Sequence, residues 1–453
     1  MTTMTTVDDV DLAGVGVGPF NLSVAALADE VPELRTCFFE RKDHFSWHPG
    51  LMFRGSRMQT SFLKDLVTAV SPTNPHSFVN YLVEHGRFHA FLASERTGIE
   101  RCEFADYLRW VAAKLDSLRF GHEVRELRAR AGGFEIHHSG GCTRARHVVV
   151  GTGRVPTVPA CTRALLGPRC FHAIDILSRP LELRGARVAV IGGGQTGAEV
   201  VLELLRGRWG QPASLAWCSR RLNFQPLDES PFTNHLFTPG FVSVFQGLDR
   251  ERREALLHEH KLAGDGISAS TLRDLHDIFY EYELAADAAK PRAELLPARE
   301  LRALEARDGG FVLHFDNLLD GAREQLDADL VILCTGLREQ LPPCLEPLLP
   351  ELERDEAGRP LVGRSFELRR RTPHRLAGES RLYIVNGARS SHGVAESQLS
   401  LMAWRSAVIL NDVLGRRRFA VERERDLIRW QTRSHADEAR SDGTAEDLRH
   451  ALP

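Results

Sequence analysis

The sequence predicts an α/β chain of two similar nucleotide-sized β–α–β units, the second inserted into the first, plus a small, mostly helical region. Three observations predict it. An apolar strand runs into a Gly-rich turn and then a helix twice, once from Val10 and once from Ala186. Each unit later carries a meander of short strands. Each ends on an apolar strand closed by Thr-Gly, at Thr152-Gly153 and at Thr335-Gly336, with nearly equal separation from its Gly-rich turn. The same parts recurring in the same order identify a duplication, and strand–turn–helix followed by further strands is the pattern of a dinucleotide-binding, Rossmann-like fold.

The elements follow in order. Val10 to Val15 reads as a strand, Gly14, Gly16 and Gly18 as the turn, and Pro19 as the first helical position, where a missing N–H costs nothing. The helix continues through Leu27, and the strand Cys37-Phe38-Phe39 ends at Glu40. Asp43 to Arg87, rich in aromatics and His, interrupts the unit before its meander of Glu123–Arg130, Gly133–His138 and His147–Val150. In the second unit Ala186–Ile191 leads into Gly192, Gly193, Gly194, Gln195 and Gly197 and a helix to Leu205. Leu215–Cys218 and the meander Arg299–Arg307, Gly310–Phe315 and Asp329–Leu333 follow. Between them Leu272, Leu275, Ile278 and Phe279 recur at helical spacing. Leu382–Val385 is a returning strand, and Ser397 to Leu414 an apolar helix. The expected domains are 1–180 with 337–415, then 181–224 with 291–336, a helical insert over 225–290 and a charged tail over 416–453.

Composition excludes several classes. Net charge is -3, so no basic field invites nucleic acid or an anionic membrane. No apolar run is long enough for a membrane span and no leader peptide is visible. None of the eight cysteines forms C-x-x-C or a zinc spacing with His, so no metal and a reduced, cytoplasmic setting are expected.

Charge at the ribose end assigns the nucleotides. In the first unit Glu40 stands where a carboxylate accepts ribose hydroxyls, and the helix start offers free N–H groups to a pyrophosphate. In the second, Ser219-Arg220-Arg221 occupies that place, and arginines there pair with a 2′-phosphate. FAD is therefore expected in the first unit and NADPH in the second, with Thr335 and Gly336 close to a nucleotide. A disulfide reductase would need a cysteine pair that is lacking, and the F-x-G-x-x-x-H-x-x-x-W signature of other flavin monooxygenases is present only as Phe171-His172-Ala173.

Phe45-Ser46-Trp47-His48-Pro49-Gly50, Met58-Gln59-Thr60, Phe62-Leu63-Lys64-Asp65-Leu66, Pro231-Phe232 with Asn234, and Gln398-Leu399-Ser400 resemble the siderophore-type flavin-dependent N-hydroxylating monooxygenases, the lysine N6-hydroxylating branch above all. The family's D-x-x-x-L-A-T-G-Y motif departs here to Cys334 and Leu337. The resemblance implies that FAD and NADPH activate O₂ as a C4a-hydroperoxyflavin, which hydroxylates an uncharged side-chain amine. It implies that Trp47, His48 and Gln59 line the flavin, that Lys64 pairs with a substrate carboxylate, and that Asn234 and Ser400 lie near substrate and nicotinamide. Gln59 and Asn234 are the expected catalytic residues. Lys64 favours an amino acid over a diamine, and Gly266-Ile267-Ser268, where ornithine-specific members carry a second asparagine, puts L-lysine ahead. A diamine (putrescine or cadaverine) or L-ornithine remains open, as does an NADPH oxidase that hydroxylates nothing. The resemblance further implies a homo-oligomer, tetramer or dimer.

Overall fold

A computed structural model describes residues 8–96, 98–284, 292–371, 380–421 and 426–432. The first seven residues and most of the expected charged tail lie outside the described residues. The first sheet runs Leu118–Arg119, Thr36–Phe39, Asp8–Val15, Gly141–Val150, Gly133–His138 and Val124–Arg130, with Leu382–Ile384 added beside Val148–Val150. Its centre is parallel, Val15 pairing with Phe39 on one side and Val150 on the other. Alternate residues serve opposite faces, as strand geometry requires. Leu12, Phe38 and Val149 join the core around the helix Pro19–Ala28, while Ala13, Phe39 and Val150 join the core on the other side. That helix is buried almost all round, which explains its largely apolar sequence.

The second sheet is fully parallel, in the order Cys170–His172, Leu330–Leu333, Arg187–Ile191, Ser214–Cys218 and Arg292–Leu296. Leu330–Leu333 is buried throughout, as a parallel strand covered on both faces must be. The helix Ala269–Leu284 lays Leu272, Leu275, Ile278 and Phe279 against this core, and the region around it is helical as expected, at 239–246, 250–259 and 262–265.

Two expectations need correction. The second meander, completed by Arg323–Ala328, is a separate three-stranded sheet. The helix expected from Ser397 begins only at Met402, after 3-10 turns at Val394–Ser397 and Leu399–Leu401. Buried Glu396 holds that segment back by accepting from the N–H groups of Gly387 and Ala388.

The chain crosses between the units twice, and the crossings touch. Val155–Pro156 pairs antiparallel with Leu337–Arg338, immediately after Gly153 and Gly336, both at positive φ. No helix among the described residues is long and apolar enough to cross a membrane.

Candidate active site between the two nucleotide folds

The first Gly-rich turn fits a pyrophosphate. Gly16 has φ +84°, and a Cβ there would stand 2.8 Å from the Gly151 carbonyl oxygen. Gly14 lies against the Phe38 ring, which leaves no room for any side chain. Gly18 opens the helix with Pro19 at its first position and no side-chain cap, so its first N–H groups keep their positive potential for an anion. Glu40 accepts from the Val17 N–H at 2.9 Å and the Lys42 N–H at 3.1 Å, one on each oxygen. A carboxylate has about four lone-pair directions, so both oxygens can still accept from ribose hydroxyls. The sequence reading missed Asn21. It is fully buried and its amide donates to the carbonyl oxygens of Gly16 at 2.7 Å and Val15 at 3.2 Å, welding the turn to its helix. An Asn inside an otherwise apolar helix was the available signal.

The second turn is built alike. Gly194 opens the helix Gln195–Leu205 without a side-chain cap. Gly197 lets that helix pack closely, since a Cβ there would meet the Gly192 carbonyl oxygen at 2.0 Å. Ser219 is buried, and its hydroxyl accepts from the Arg221 N–H at 3.1 Å. The two arginines part company. Arg221 turns inward and donates to the Asp265 carbonyl at 3.0 Å. Arg220 is 75% exposed, with Glu300 as a distant partner at 3.9 Å, and is free to reach a phosphate. Thr335 donates its hydroxyl to the Thr157 carbonyl, and Gly336 accepts from the Thr157 N–H at 2.9 Å, so this pair ties the two crossings together.

A cleft between the first unit and the helical insert brings together Gln59, Lys64, Asn234 and Ser400, with Asp228, Glu229, Phe237 and Gln398 around them. Gln59 comes from the strand Arg57–Ser61, Asn234 from the turn Thr233–Phe237, and Ser400 from the turn that displaced the expected helix start. The Lys64 ammonium donates to Ser400 Oγ at 3.4 Å and sits 6.0 Å from the Phe237 ring centroid. Burial lowers its pKa from the ordinary lysine value. The adjacent Asp65 does not neutralise it. That carboxylate is buried and accepts from the N–H groups of Val67, Thr68 and Phe78 and from the Thr68 hydroxyl.

Trp47 and His48 belong to the first unit and do not line this cleft. Trp47 packs edge-on against Phe104, ring centroids 5.7 Å apart. His48 adopts a left-handed backbone, φ 43°. The residue as a whole is exposed, yet desolvation of the ring by its neighbours, then the charges of Lys42 and Arg101, lowers its pKa to about 4. It is neutral at pH 7 and available for hydrogen bonding rather than as a cation. Thiol chemistry has little footing here: burial pushes Cys170 up to about 11 and Cys218 up to about 12.

Two nucleotide-binding turns in one chain, the second tied through Gln195 to Gln59 of a polar cleft, define the class of a pyridine-nucleotide-dependent flavoprotein. Comparison with known proteins narrows the class. The family model for L-lysine 6-monooxygenase/L-ornithine 5-monooxygenase matches residues 8–339, and the chain belongs to that family. It is 43% identical over 429 residues to the L-lysine N6-monooxygenase of Escherichia coli, covering 93% of this chain and 99% of that one. Among solved structures it resembles the FAD-bound cadaverine monooxygenase of Erwinia amylovora, with TM-score 0.87 and 27% identity over 95% of this chain and 100% of that one. It also resembles the ornithine N-hydroxylase of Kutzneria with reduced FAD, NADP⁺ and L-ornithine, with TM-score 0.83 and 29% identity over 90% and 99% of the two chains.

Proposed function

We propose that this protein hydroxylates the side-chain amine of L-lysine, converting L-lysine, NADPH, H⁺ and O₂ to N6-hydroxylysine, NADP⁺ and water. One observation carries the choice of an amino acid over a diamine: the Lys64 ammonium enters the cleft and, although Asp228 and Glu229 also line it, no ion pair ties Lys64 to a carboxylate among the described residues. An amino acid offers it a carboxylate. A diamine offers a second cation, which a partly buried ammonium repels.

In this reading residues 1–180 and 337–415 hold FAD, with Gly14, Gly16, Gly18 and Pro19 around the pyrophosphate and Glu40 on the ribose. Residues 181–224 and 291–336 hold NADPH, with Gly192, Gly194, Gln195 and Gly197 around its pyrophosphate. Ser219 and Arg221 shape the ribose end there, and Arg220 meets the 2′-phosphate. FAD, when bound, accepts hydride from NADPH and supplies the activated oxygen. The protein's own residues do the rest. Trp47 and the ring of Phe237 exclude water. Lys64 and Ser400 fix the substrate carboxylate end, while Asn234 and Gln59 direct the distal amine. That amine must be uncharged to react, and an ordinary lysine amine has a pKa of about 10.4. Desolvation in the cleft favours its neutral form. The hydroxylamine product is suited to acylation into an iron-chelating hydroxamate. A dimer or tetramer in the cytoplasm completes the proposal.

The test is hydroxylamine formation from lysine, ornithine, putrescine and cadaverine at equal concentration. Lysine is expected to lead. Cadaverine or putrescine turned over far better than lysine overturns the role of Lys64. Peroxide alone from every amine makes the protein an NADPH oxidase.

A further inference from the structure

Arg101 begins the helix Arg101–Ala112 of the first unit, yet its guanidinium reaches into the second unit and meets Glu199 at 2.8 Å. A cation in the first turn opposes the helix dipole, so local helix stability does not account for it. Glu199 is 5% exposed and lies one turn beyond Gln195 on the second nucleotide helix. Its other oxygen accepts from Gln195 Nε2 at 2.8 Å. The Gln195 carbonyl end accepts from the Ser268 N–H at 2.7 Å and from Gln59 Nε2 at 3.4 Å. A carboxylate only accepts and a backbone N–H only donates, so one assignment of the Gln195 amide satisfies both neighbours. The Gln59 amide is fixed in turn, its NH₂ given to Gln195 and its oxygen left for the cleft.

We propose that Arg101 and Glu199 are positioning residues. Their ion pair latches the two units together and, through Gln195, holds the Gln59 carbonyl oxygen toward the reacting amine. This rests on the proposed hydroxylation. A carbonyl oxygen in that place accepts from the substrate's N–H and aims the nitrogen lone pair. An NH₂ would compete with the amine for oxygen. Loss of the latch therefore diverts the reaction to NADPH + H⁺ + O₂ → NADP⁺ + H₂O₂, whose electrons and oxygen balance without the amine.

The experiment uses Arg101→Met, Arg101→Lys and Glu199→Met in the full-length protein, each with and without Gln59→Ala. In flavin-free protein, Arg101→Met and Glu199→Met are expected to speed amide hydrogen exchange over 57–61 and at the start of the 195–205 helix by about tenfold, with Arg101→Lys restoring protection. In holoenzyme the same variants are expected to raise the peroxide-to-hydroxylamine ratio about tenfold at little change in flavin reduction rate. That increase should vanish when Gln59 is already Ala. Effects that add across the double variants, or lowered thermal stability with unchanged exchange and unchanged coupling, would overturn the relay. Should no amine be hydroxylated by the parent protein, the proposed function falls instead, and the exchange measurement still decides whether the latch exists. If Arg101→Met does not fold, Glu199→Met and Arg101→Lys carry the test.

Discussion

The two nucleotide units share a plan and differ at the ribose. In the first, Glu40 stands at the strand end with both oxygens already engaged by backbone N–H groups, and buried Asn21 braces the same turn. In the second, the equivalent place holds Arg220, a long exposed side chain with only a distant partner. A braced turn suits a nucleotide that stays through many turnovers. An exposed arm suits one that arrives and leaves, because it costs little to reorganise. The meanders differ for a related reason. Gly141–Val150 is one continuous strand that serves both the parallel core and the antiparallel excursion. Its counterpart breaks at Asp329, whose carboxylate accepts from the Arg187 N–H at 2.8 Å and guanidinium at 2.7 Å. The second excursion thereby becomes a separate sheet.

The largest expected effect tests how rigid the two turns are. At Gly192 φ is +131°, and a Cβ would stand 2.1 Å from the Cys334 carbonyl oxygen, which belongs to backbone that cannot retreat because its N–H is bonded to Ile191. Gly192→Ala should weaken NADP⁺ binding by roughly 100-fold or more, the size of about 3 kcal/mol of backbone strain. At Gly16 the left-handed φ of +84° costs alanine about 1–2 kcal/mol, and the contact is looser at 2.8 Å. Gly16→Ala should therefore lower FAD affinity about tenfold. Titration of each nucleotide into each variant checks the pair, and equal losses would mean that the turns are not distinct in stiffness.

Next comes the cleft. Lys64→Met should raise KM for lysine by roughly 10–100-fold, the usual size of a charge-assisted contact, and leave cadaverine unaffected or improved. Stopped-flow reduction by NADPH should barely change. A large drop in that rate would place Lys64 with the nucleotides instead.

The parts decided by local rules were legible in the sequence. Gly-rich turns, alternating strands, Glu40 and the arginine pair obey spacing and charge rules that need no tertiary knowledge. Lys64, Asn234 and Ser400 were legible only through the resemblance, because nothing local brings Lys64 beside Ser400. Arg101 and Glu199 were hidden for the same reason: 98 positions separate them, and their partnership exists only once the units pack. The helix expected from Ser397 failed because apolar periodicity continued through a segment that buried Glu396 diverts into tighter turns.

A smaller effect sharpens the contrast at the ribose. Arg220→Ala should weaken NADPH about tenfold and NADH little, since an exposed arginine on a phosphate contributes on the order of 1–2 kcal/mol. Arg221→Ala should discriminate less, because its guanidinium is already committed to the Asp265 carbonyl. Equal loss of both nucleotides in Arg220→Ala would remove the 2′-phosphate role.

The smallest and most gradual effect is acid sensitivity of the first unit. His147 is buried on the strand Gly141–Val150, and desolvation, then the charges of Arg146 and Arg381, lowers its pKa to about 4. His392 is buried against Phe366, and desolvation lowers it to about 3. Both take up protons near pH 6.5 when unfolded, so the stability they contribute falls as pH drops below that value. Glu396 works the other way. Desolvation, only partly offset by Arg405, raises it to about 7, so the folded protein keeps a proton that the unfolded chain releases above pH 4.5. Between pH 6.5 and 4.5 the unfolded chain thus gains protons on His48, His147 and His392, while folded Glu396 holds one in opposition. Each such histidine contributes a slope of one proton, or roughly 1.4 kcal/mol of lost stability per pH unit. His147→Gln removes one of these histidines and should make the slope shallower by about one proton. Urea midpoints measured at half-unit intervals across the window, with flavin release as the probe, would show it. An unchanged slope in that variant would mean that His147 is not kept neutral by the fold.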